Sequence, residues 1–119
     1  MSEKTSDIKF SVKDVRGIEI VYTNERWENH VIRFHEDMEG QEQSVINTLV
    51  NPYRIDGSSI DDISDVYHGK WTGGYKKYIR VVVTSKKGYN TIITAFPVEG
   101  VGKSVDPEKP KYRNADSPL

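Results

Sequence analysis

The chain has 119 residues, 35% hydrophobic and 29% charged, with a formal net charge of −1 and no cysteine. That length supports one domain with a modest core. The composition excludes a disulfide framework and a thiolate metal site, and no apolar run approaches the roughly 18 residues of a membrane helix. The polar start MSEKTSDIKF lacks the apolar centre of a secretory signal, so a cytoplasmic protein with no membrane partner is expected.

The near-neutral total hides an asymmetry. Residues 1–64 carry seven Lys/Arg against thirteen Asp/Glu, a net of −6. Residues 65–89 carry six cations against Asp65 alone, a net of +5, and the last thirty residues balance at four each. A basic segment on a neutral domain suits a phosphate-bearing partner. It equally describes lysines decorating a solvated hairpin.

In chain order, IKFSV (8–12) and IEIVY (18–22) alternate apolar and polar residues, the period of half-buried strands, and Gly17 closes a hairpin link between them. Thr23-Asn24 supplies helix N-cap residues. On a helical wheel Trp27, Val31, Phe34 and Met38 form one apolar stripe, which predicts an amphipathic helix over 25–38 stopped by Gly40. A second helix is predicted over 41–50, burying Val45, Ile46 and Leu49 and ended by Asn51-Pro52. Three strands follow, at 63–68, 77–84 and 90–98. A loop with three glycines, 69–74, separates the first two, and a hairpin link containing Gly88 joins the last two. From Gly100 onward no periodicity remains, which predicts a disordered tail. The expected fold is therefore α+β: two helices packed on one face of an antiparallel sheet of about four to five strands, with a single domain over 1–99 and a flexible polar tail over 100–119.

Chemistry concentrates in RWENHVIRFHEDMEG (26–40). Arg26, His30, Arg33 and Asp37 form a polar stripe beside the apolar one, while His35 lies on the other flank. The two histidines therefore do not converge as a metal pair, and no cofactor fingerprint is present, so neither a metal nor a cofactor is expected. On strand 77–84, Ile79, Val81 and Val83 form the apolar set, which turns Tyr78 and Arg80 to the open face. Ile92, Thr94 and Phe96 share one parity on the last strand. His68, at the end of a polar strand near the basic segment, is a further candidate for proton transfer.

The succession ERWENHVIRFH, INTLVNPYRI, VYHGK, YIRVVV and IITAFP, over roughly residues 20–98, resembles a family of small phage and mobile-element nucleases in the barnase–EndoU–colicin–RelE superfamily. The sequence departs from that family's pattern where Phe34 directly precedes His35 and Glu36-Asp37 follow it. The resemblance implies a metal-independent, toxin-type RNase that cleaves RNA by attack of the ribose 2′-hydroxyl. It points to His30 and His35 as proton carriers and to Thr94 as a hydrogen-bonding partner of the scissile phosphate or base. Arg33, Lys77, Tyr78 and Arg80 are the expected RNA contacts, and His68 competes with the helix histidines. The alternative is a non-catalytic protein-binding or inhibitory module on the same fold, recognising a protein partner by edge pairing through the exposed parity of Tyr78 and Arg80 and a loop that carries Trp71. Oligomeric state is left open.

Overall fold

The structure, a computed structural model, describes residues 8–33, 35–86, 88–102 and 110–119, leaving aside the side chains of His30 and Lys86. Strands β1 (Ile8–Lys13) and β2 (Glu19–Thr23) form the first hairpin, as their alternation demands. Its turn is built by Asp14, whose Oδ1 accepts from the backbone N–H groups of Arg16 (2.8 Å) and Ile18 (2.9 Å). Gly17 holds φ at 87°, the left-handed region that favours glycine.

The helix expected over 25–38 is not continuous. Thr23 caps a short α turn (Asn24–Arg26), accepting from the Arg26 N–H at 3.2 Å, and the chain then widens into a π-helical stretch (Trp27–Ile32). At His35 it leaves the helix altogether, with φ −140° and ψ 77°, before a single 3-10 turn (Glu36–Met38). Trp27, Val31 and Met38 are buried as expected; Phe34 lies outside the described residues. A π turn closes i→i+5 bonds, so the 100° wheel loses its phase beyond it. The helical wheel therefore cannot carry the polar stripe through to Asp37, which lies beyond the break at His35. Among the described residues only α1 (Glu42–Val50) is a sustained helix, burying Val45, Thr48 and Leu49 against the sheet.

After α1 come β3 (Arg54–Gly57), β4 (Ser64–Lys70), β5 (Tyr78–Lys86) and β6 (Tyr89–Val98), an antiparallel meander. β7 (Tyr112–Arg113) closes the order β1-β2-β6-β5-β4-β3-β7. The β2–β6 pair runs parallel through Val21 and Thr91, so the seven-stranded sheet is mixed.

The expected α+β fold, two helices on four or five antiparallel strands, is thus corrected to a mostly β protein. Nor is the C-terminal stretch wholly a disordered tail. Lys111 N–H donates to the Ile55 carbonyl at 2.7 Å and Asn114 N–H to the Tyr53 carbonyl at 2.8 Å, adding a strand to the edge of β3. Unpaired backbone groups of an edge strand recruit such a segment without any apolar pattern in it; residues 103–109 lie outside the description. One face of the sheet, bearing Ile55, Tyr67, Ile79, Val81, Val83, Ile92 and Ala95, packs on the helical segments as the core.

Candidate functional site

The opposite face carries the polar side chains, and an irregularity decides which ones. Between Val82 and Val83 the β5–β6 register slips: Val83 faces Ile92, but Val82 faces Thr94 and Arg80 faces Phe96. Ile93 is the extra residue of a β-bulge, which switches the parity of β6 midway. Ile92 and Ala95 both reach the core, whereas Thr94 and Phe96 share the face of Arg80. The expected common parity of Ile92 with Thr94 and Phe96 is therefore overturned.

Directly opposed residues then form a row across five strands: Phe96, Arg80, His68, Arg54 and Arg113. Arg80 Nε donates to His68 Nε2 at 3.0 Å, and its Nη2 donates to the carbonyls of Gly100 (3.2 Å) and Val101 (2.7 Å). Its Cζ sits 5.5 Å from the centroid of Phe96, and the imidazole of His35 stacks on the same ring at 4.7 Å and 19°. His35, placed by the chain's exit from the π-helical stretch, thereby meets the margin of the polar face at Phe96. Thr94 Oγ1 is buried with no hydrogen-bond partner among the described residues.

His68 is wholly buried. Burial first, then the charges of Arg80 and Arg54, lower its pKa from 6.5 to about 3. Its Nε2 lone pair accepts from Arg80, so the neutral ring carries its proton on Nδ1, which has no partner among the described residues. At neutral pH the enclosed ring is therefore neutral and accepts from Arg80. Burial also lowers the pKa of the Arg80 guanidinium. Next in the row, Arg54 Nε and Nη2 grip Asp56 at 2.8 and 2.6 Å, and Nη1 donates to the Leu119 carbonyl at 3.1 Å. Both members of this pair are buried.

The remaining candidates are more scattered. Arg33 is exposed just after the π-helical stretch, and Lys77 is exposed just before β5. Tyr78, half-buried two residues from Arg80, meets Tyr53 edge-on at 6.1 Å. The His30 side chain lies outside the described residues. Trp71 is buried, its indole filling the space a Cβ on Gly73 would need. Among the described residues, no group of three or more His, Asp or Glu side chains is placed to hold a metal ion, and no helix is long and apolar enough to cross a membrane.

Arg54 and Asp56 belong to this face by cross-strand register, and Phe96 joins Arg80 there through the bulge, neither of which the pattern of one strand carries. No protein-family model, curated protein or solved structure matches the chain.

Proposed function

We propose that the chain is a small, metal-independent, toxin-type endoribonuclease related to the phage and mobile-element nucleases its sequence resembles, with the reacting phosphate bound beside His35, Arg80 and Thr94. One observation carries this reading: the Ile93 bulge turns Thr94 and Phe96 to the Arg80 face, where the His35 ring stacks on Phe96. An imidazole, a guanidinium and an unsatisfied hydroxyl then share one patch.

The chemistry asks for little more. A base removes the ribose 2′-hydroxyl proton, O2′ attacks phosphorus, the P–O5′ bond breaks, and an acid protonates the departing 5′-oxygen, leaving a 2′,3′-cyclic phosphate. Histidine titrates near neutrality and suits either proton role. His35 takes one, and His30 is the candidate for the other. Arg80 stabilises charge on the phosphorane through Nη1, since Nε and Nη2 are already committed to His68 and the two carbonyls. Thr94 Oγ1 is buried in the free protein and donates to the phosphate only once the side chains covering it move aside. His68 acts by holding Arg80 in place. Arg33, Lys77 and Tyr78 lie on the approach of the RNA, and an RNA substrate sets the place of action in the cytoplasm.

The test is cleavage of transfer RNA and total RNA in EDTA by wild type, His35→Ala, His30→Ala, Arg80→Lys and Thr94→Val. Loss of the proton carrier His35 is expected to lower kcat by about 10²- to 10⁴-fold. A folded wild type inactive from pH 5 to 8 rejects the reading and favours the non-catalytic protein-binding module. For that second reading one observation speaks: β1 is an edge strand of six residues, which a partner strand could extend.

A further inference from the structure

At the end of α1 the surface opens into a cleft of about 390 Å³, lined by Ser44, Asn47, Thr48, Asn51, Tyr53 and Lys70 together with Val50 and Thr72. Its hydrogen-bonding groups are already partly spent, and that fixes what they can offer. Thr48 Oγ1 donates to the Ser44 carbonyl (2.8 Å) and Ser44 Oγ donates to Gln41 Oε1 (3.0 Å), so both hydroxyls present acceptor lone pairs. Asn47 Oδ1 accepts from Gln43 (2.9 Å) and Asn51 Oδ1 from Asn114 (3.4 Å), so both carboxamides present N–H donors. No carboxylate lines the cleft, and its charged residue is Lys70, which has no ion-pair partner among the described residues. The aromatic ring at its rim is Tyr53.

From this arrangement we infer that the cleft is a nucleotide subsite for single-stranded RNA, taking the residue next to the one being cleaved. The carboxamide donors of the exposed Asn47 and Asn51 and the acceptor hydroxyl of Ser44 can pair with the edge of a nucleobase, while Thr48 is buried behind them. Tyr53 offers a face for stacking, and Lys70 receives the phosphate without a competing acid nearby. Its position relative to the reacting patch supports the assignment. Lys70 pairs in register with Tyr78, Tyr53 packs edge-on against Tyr78, and Tyr78 lies two residues along β5 from Arg80. Along β5 the step from Tyr78 to Arg80 is about 7 Å, and Lys70 lies one strand to the side of Tyr78. The subsite's place beside a cleaved phosphate rests on the ribonuclease reading; its capacity to hold a nucleotide does not.

The test uses fluorescein-labelled tetranucleotides with 2′-O-methyl riboses, which cannot be cleaved, in four homopolymer versions. Binding is read by anisotropy for wild type, Asn47→Ala and Lys70→Ala, and cleavage of unmodified RNA is measured beside it. Both substituted residues are exposed, so the fold is not at stake. The expected result is a Kd raised about five-fold or more by either substitution, a reduced difference among the homopolymers in Asn47→Ala, and in cleavage a higher KM with kcat kept. Tetranucleotide binding that both substitutions weaken, in a protein that does not cleave RNA, upholds the nucleotide site while the catalytic reading fails. Unchanged Kd and KM in both variants of an active enzyme overturn the subsite alone. Absence of any tetranucleotide binding overturns it as well.

Discussion

Replacing His68 by glutamine gives the sharpest prediction about the polar face. In the folded protein the imidazole is buried between Arg80 and Arg54, and its pKa falls from 6.5 to about 3; in the unfolded chain it returns to its ordinary value. Below pH 6.5 the unfolded state takes up a proton that the folded state refuses, so stability declines as pH falls towards 3. The slope approaches about 1.4 kcal/mol per pH unit, and between pH 7 and 5 the loss comes to about 2 kcal/mol. His68→Gln keeps an oxygen that can accept from Arg80 Nε but has nothing to titrate. Urea unfolding at pH 7, 6 and 5 should therefore show wild type losing about 2 kcal/mol more than His68→Gln over that interval. The carboxylates contribute equally to both proteins and cancel in the difference. Parallel losses, or an NMR titration of the His68 ring near pH 6.5 in the folded protein, would refute the buried, neutral imidazole and return His68 to the list of proton carriers.

Other consequences test the same architecture. Asp56→Ala removes the carboxylate gripping a buried guanidinium and should cost about 3–5 kcal/mol in urea unfolding; a loss under 1 kcal/mol would show that water reaches Arg54. A Cβ on Gly69 would lie 2.7 Å from Thr48 Oγ1 and 3.0 Å from its Cγ2, so Gly69→Ala should cost about 1–3 kcal/mol. Adding Thr48→Ala should recover part of it, and strict additivity in that double-mutant cycle would contradict the contact. The Tyr22 hydroxyl is buried without a partner among the described residues, so Tyr22→Phe should be neutral or stabilising by up to about 1 kcal/mol. A thermal melt showing clear destabilisation would mean that the hydroxyl is bonded.

How far the sequence reveals this protein depends on the element. The first hairpin, α1 and most of the strands from 63 to 98 follow from apolar periodicity and turn residues, which are local signals. So does the core set of Ile79, Val81 and Val83, which the structure buries. But β4 runs on through Gly69 and Lys70, expected as loop, and β3 is not anticipated. The helix over 25–38 fails for a reason that periodicity cannot carry. Its stripe is real, since Trp27, Val31 and Met38 are buried, but a π-helical stretch followed by the extended turn at His35 reaches the same burial by another path. β7 has no apolar pattern; the open edge of β3 makes it a strand. The candidate site divides in the same way. Arg80 and Tyr78 are legible from parity on β5, but the neighbourhood of Thr94 and Phe96 depends on the bulge at Ile93, which nothing in NTIITAFPV marks. His68 as an acceptor for Arg80 depends on the β4–β5 register, which cannot be read from either strand alone.

The claim that this polar face cleaves RNA through the 2′-hydroxyl is tested most directly by product chemistry. A short RNA is incubated with the protein in EDTA, beside the same oligonucleotide made of 2′-deoxy nucleotides and beside His35→Ala, and the ends are identified by mass spectrometry. The account predicts fragments ending in 2′,3′-cyclic phosphate from the RNA, none from the deoxy oligonucleotide, and none above background from His35→Ala. Cleavage of the deoxy substrate, or undiminished cleavage by His35→Ala, would contradict it.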